Sequence, residues 1–76
     1  MLNIILQFDL YNKRMQRGMS VRELAQISQV SKTQINMIEA ERTEANPTLL
    51  TICKLAESLG IKPEDIYCYK VENLPL

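Results

Sequence analysis

The stretch "SVRELAQISQVSKTQINMIEAER", Ser20 to Arg42, decides how the rest of the chain is read. It carries two helix-start signatures, Ser20-Val21-Arg22-Glu23 and Ser31-Lys32-Thr33-Gln34. Each sets a hydroxyl at an N-cap and a Glu or Gln three residues later, the reciprocal arrangement of a capping box. The starts lie eleven residues apart, so the first of the two helices runs for about two turns. A helix that short is marginal alone and needs neighbours to pack on.

Those neighbours are legible on both sides. Gly18 suits the end of a preceding helix, with Lys13, Arg14 and Arg17 placed favourably at its C-terminus. Phe8, Tyr11 and Met15 have helical spacing, whereas Leu2, Ile4, Leu6, Phe8 and Leu10 alternate like a strand. We favour a helix beginning between Asn3 and Asp9, with a short N-terminal strand as the alternative. Next, Val21, Leu24 and Ala25 give a buried stripe to a helix over about 21–27, and Ile35 and Ile38 give one to a helix over about 32–40. Val30 is an apolar plug between them. Asn46-Pro47 reads as N-cap and first turn of a fourth helix, its apolar face formed by Leu49, Ile52, Cys53, Ala56 and Leu59, and Gly60 closes it. Pro63, Glu64 and Asp65 open a fifth short helix containing Ile66, Tyr67 and Tyr69, and an extended tail covers 70–76.

The expected fold is therefore all-α, five short helices forming one compact domain over 1–76 with its core at about 8–69. Two short helices joined by a tight turn and held by flanking helices make a helix-turn-helix. With Ile35 and Ile38 buried, the third helix leaves Lys32, Thr33, Asn36 and Met37 facing outward, and the major groove of DNA is wide enough to admit such a helix.

Composition removes other classes. The 76 residues are 46% hydrophobic and 24% charged, ordinary for a globular chain and wrong for a disordered one. The apolar start "MLNIILQF" is too short to span a bilayer and has no signal-peptide layout, so a cytoplasmic location is expected. There is no histidine, and Cys53 and Cys68 are not at metal-ligand spacing, so no metal or cofactor is expected and both cysteines are read as small buried hydrophobes. No nucleophile motif or Gly-rich phosphate loop is present, so an enzyme is not expected. Nine basic and nine acidic residues cancel, but unevenly along the chain. Lys13 to Lys32 holds five basic residues against Glu23 alone, whereas Glu39 to Asp65 holds six acidic against three basic.

"GMSVRELAQISQVSKTQINMIE" followed by "NPTLLTICKLAESLGI" resembles the Cro/phage-repressor, or XRE, class of helix-turn-helix proteins, and the likeness covers about residues 10–69. The resemblance implies a λ-repressor-like domain whose second and third helices form the motif, with about 31–40 as the recognition helix. It implies a buried ion pair between Arg14 and Glu39. It places Ser31, Lys32, Thr33, Asn36 and Met37 at base-contacting positions, and Arg17, Arg22 and Arg42 at phosphates. Lys32 would suit guanine and Asn36 adenine, with Thr33 or Met37 against a thymine methyl. The implied partner is double-stranded operator DNA, bound by a homodimer that needs no small-molecule ligand. Candidate dimer surfaces are the fifth helix and the apolar N-terminus.

The sequence departs from the family pattern at several places. Gln29 and Glu41 stand where Gly is common, which asks for left-handed backbone at Gln29 or a slightly different turn. Val21 replaces a frequent Gln, Lys13 a frequent Leu, and the loop before Pro47 is longer by about two residues, within ordinary loop variation. The acidic loop and zero net charge keep a second reading open, a protein-interaction module of antitoxin or anti-repressor type on the same scaffold.

Overall fold

A computed structural model describes residues 2–41 and 45–73. The chain runs β1 (Leu2–Phe8), α1 (Leu10–Gln16), α2 (Val21–Ser28), α3 (Lys32–Glu39), α4 (Leu49–Leu59), a 3-10 turn (Pro63–Asp65) and β2 (Tyr67–Asn73). The expected five-helix, all-α architecture is therefore wrong in its ends. The described residues hold four α-helices and an antiparallel two-stranded ribbon made from the two ends of the chain.

Each correction has a physical cause. At the N-terminus the alternation of Leu2, Ile4, Leu6 and Phe8 wins over helical spacing, because Val71, Tyr69 and Tyr67 stand opposite in register and share that face. The helix begins only at Leu10. Asp9 anchors the junction, its N–H donating to the Ile66 carbonyl at 2.7 Å. At the other end, the start signal at Pro63 yields a single turn, closed by Lys62 N–H donating to Asp65 Oδ2 at 3.1 Å. Beyond Ile66 the sequence alternates Tyr67, Tyr69, Val71 against Cys68, Lys70, Glu72, a strand period that cannot serve a helix.

The helix caps follow the sequence more closely. Ser20 and Glu23 form the reciprocal box, with bonds of 3.0 and 3.1 Å. Ser31 Oγ accepts from Gln34 N–H at 3.1 Å. The fourth helix starts later than Asn46-Pro47 suggests. Thr48 is its N-cap, accepting from Thr51 N–H at 3.1 Å, and Gly60 ends it in a left-handed conformation.

The core is formed by Leu10, Leu24, Val30, Ile35, Ile38, Ile52, Leu55, Ala56, Leu59 and Ile66, with Phe8 and Tyr67 packed against it from the base of the ribbon. Val30 plugs the α2–α3 junction as expected. The buried stripe of α4 is Ile52, Leu55, Ala56 and Leu59. Cys53 and Leu49 lie off its centre and are exposed, and Cys68 is exposed on the ribbon, so neither cysteine is the buried hydrophobe expected. Among the described residues no helix is long and apolar enough to cross a membrane.

Candidate nucleic-acid interface

The turn between α2 and α3 is fixed by buried backbone chemistry. Ser28 Oγ donates to the Leu24 carbonyl at 2.6 Å and accepts from Val30 N–H at 3.2 Å, so one hydroxyl closes α2 and orients the exit. Gln29 then takes a left-handed conformation, φ 61°, its N–H bonded to the Ala25 carbonyl at 2.9 Å. The sharp reversal that glycine gives most readily is kept here by a residue with a Cβ. Ser31 is extended and starts α3.

This turn sets α3 on the helical body with Ile35 and Ile38 inward, both fully buried. Lys32, Thr33 and Asn36 are exposed on the outer face, Met37 is half-buried, and Ser31 is exposed at the N-terminus of α3. A shallow groove joins Arg22, Gln26, Gln29, Ser31 and Lys32 across the turn. A second depression brings Ser31, Thr33 and Met37 to Asn46 and Pro47 of the loop before α4. Gln26 and Gln29 were missed in the sequence as groove residues. Their only signal was position on the α2 face adjoining the turn, which periodicity alone does not rank.

Arg14 and Glu39 hold this arrangement from behind. Arg14 Nε donates to Glu39 Oε2 at 2.7 Å and Nη2 to Oε1 at 2.9 Å, a two-pronged pair with both side chains about nine-tenths buried. Nη1 donates to the Met19 carbonyl at 2.7 Å, which ties the α1–α2 loop to the same guanidinium. The guanidinium also lies 5.3 Å from the Tyr11 ring centre. Its hydrogen bonds to Glu39 push the Arg14 pKa above its already alkaline ordinary value, against a smaller opposing effect of burial. A raised pKa contributes stability that disappears only as pH climbs through the folded-state value, so this contribution is constant across the neutral range.

Of the three arginines expected at phosphates, Arg22 is exposed in the first turn of α2. Arg17 points elsewhere, with Nη2 donating to the Gly60 carbonyl at 3.4 Å, at the negative end of α4. Its guanidinium lies 3.2 Å from where a Gly60 Cβ would stand, so that glycine makes room for it. Arg42 and Glu44 lie outside the described residues. Glu41 is exposed just after α3 and left-handed, φ 52°, where glycine would be the unstrained choice. Among the described residues no group of three or more His, Cys, Asp or Glu could hold a metal ion.

The α2–α3 unit thus has a left-handed turn, a buried plug and an outward polar second helix. A family model described as Helix-turn-helix matches residues 10–66, from the start of α1 to the end of the core. No curated protein and no solved structure matches the chain. The matched span takes in most of the chain, and the chain belongs to the XRE/Cro-type helix-turn-helix family, a family of DNA-binding regulatory domains.

Proposed function

We propose that this protein is a sequence-specific transcriptional regulator that reads duplex DNA with α3 in the major groove and acts as a homodimer on a two-fold-related operator. The observation that carries the reading is the outer face of α3. Lys32, Thr33 and Asn36 are exposed side by side on a helix whose opposite face is locked into the core. Lys32 suits guanine O6 and N7, Asn36 pairs with adenine N6 and N7, and Thr33 and Met37 offer methyl groups to thymine. Ser31 sits at the helix start, where its hydroxyl and the first amides reach the groove edge. Arg22 takes a phosphate alongside the amide end of α2, and Arg17 and Arg42 supply further phosphate contacts, Arg17 by leaving the Gly60 carbonyl.

Glu41, exposed at the end of α3, supports the second reading, an interaction module that binds a protein instead. Titrating duplex DNA at two salt concentrations separates them. A DNA reader loses affinity steeply as salt rises, because each phosphate contact releases counterions. A chain with negligible affinity at low salt is not a DNA reader.

A further inference from the structure

The ribbon has two unlike faces. Leu2, Ile4, Leu6 and Phe8 share one with Tyr67, Tyr69, Val71 and, at its outer end, Asn73, and Asn3, Ile5 and Gln7 share the other with Cys68, Lys70 and Glu72. Phe8 and Tyr67, at the base, are packed on the core. The apolar stripe continues outward from them, and Leu2, Ile4, Leu6, Tyr69 and Val71 are 45–69% exposed. The core thus runs out along the ribbon and is left uncovered. The chain measures 46 × 22 × 20 Å, and an isolated two-stranded ribbon is marginal in water.

We propose that this apolar face is the surface on which a second copy of the chain docks, the two ribbons packing face to face. Three features select a second copy. First, the five side chains present on the order of 500 Å² per copy, so full burial in a pair removes on the order of 1,000 Å², about the minimum for a specific interface. Second, the described residues of this face carry no charge, so it offers nothing to a nucleic acid or a charged peptide, while it matches itself about a two-fold axis. Third, the β1 side of the ribbon borders the same cleft as Glu41, Ala45 and Asn46, just beyond α3. A copy docked there sits near the C-terminal end of the recognition helix, and the contact sets the distance between two recognition helices. This deepens the dimeric reading above, and its test uses no DNA.

The test is sedimentation equilibrium of three proteins at micromolar concentration. Ile4 and Val71 are register partners, so Ile4→Lys with Val71→Glu puts opposite charges across the ribbon and removes its apolar character while keeping the strands paired. Ile5→Lys alters the opposite face. The wild type and Ile5→Lys are expected as dimers, and the double variant as a monomer with unchanged helical circular dichroism. A monomeric wild type, or a folded double variant that remains dimeric, overturns the proposal, and the former assigns the face to a different occupant. Amide exchange of the wild type gives an answer that needs no variant. Protection of Ile4, Leu6 and Tyr69 rises with protein concentration if the face is a dimer contact, and concentration-independent protection overturns it. A monomer leaves the α3 reading intact, whereas a dimer that ignores DNA removes that reading and leaves this surface.

Discussion

Arg14 on α1 and Glu39 at the end of α3 are joined by two parallel hydrogen bonds, 2.7 and 2.9 Å, inside the protein. Twenty-five residues separate them, and the whole helix-turn-helix lies between. The pair therefore sets where α3 ends relative to the rest of the body. Removing one partner strands a buried charge, so Arg14→Ala or Glu39→Ala should each lower stability by about 3–5 kcal/mol in urea unfolding. Arg14→Lys should recover little, since an ammonium cannot make the two-pronged contact and the bond to Met19 together. Replacing both, Arg14→Met with Glu39→Leu, should recover most of the loss. A single variant as stable as wild type contradicts this account of the pair.

Gln29 occupies backbone that favours glycine. Gln29→Gly should stabilise the fold by about 1 kcal/mol, since the left-handed conformation costs a side-chain-bearing residue about that much. The measurement is the urea midpoint at unchanged slope. A loss of stability would mean that Gln29 makes a compensating contact in the groove it shares with Arg22 and Lys32.

Lys32 and Asn36 are exposed, so alanine at either position should leave thermal stability within about 0.5 kcal/mol of wild type. Each change should cost about 1–3 kcal/mol of discrimination at one base pair and relax preference there. Competition between operator variants checks it. Wild-type discrimination in both variants would remove these residues from base reading.

Arg22 and Arg17 should behave differently despite equal charge. Arg22→Ala should weaken binding across all sequences and lower the salt slope by about one. Arg17 must give up the Gly60 carbonyl to reach a phosphate, which makes its contact the weaker one, so Arg17→Ala should change the slope less. Equal slopes for the two variants would show that Arg17 swings fully onto the DNA.

The middle of the chain was legible because its signals are local. Ser20 with Glu23, Ser31 as N-cap, Gly18, Gly60 and the Ile35/Ile38 stripe all act within a turn or two of helix, and the structure keeps each of them, although at Ser31 it shows only the Gln34 N–H bond and not the reciprocal box expected there. Gln29 was flagged by its departure from the family pattern, and its left-handed φ bears that out. The pairing of the two ends was not legible because the partners are remote. Leu2 pairs with Asn73, and no window short enough to show periodicity contains both. Start signals at Pro63 pointed to a helix that the alternating residues after Ile66 could not continue. The strand before Asp9 was legible as the alternative reading, from the alternation of Leu2, Ile4, Leu6 and Phe8, and the structure bears that alternative out; the helical phase of Phe8 with Tyr11 and Met15 favoured the helix instead. Cys53 was misplaced for a smaller reason: it borders the α4 stripe, and Leu55 takes the buried position.

The most direct measurement is selection of binding sites from a random duplex library, with binding to the selected pool repeated at low and high salt. A dimeric α3 reader should recover an inverted pair of half-sites centred about one helical turn apart, bound with affinity that falls steeply with salt. A pool without enrichment, or binding indifferent to salt, would contradict the account and point to a protein partner for the outer face of α3.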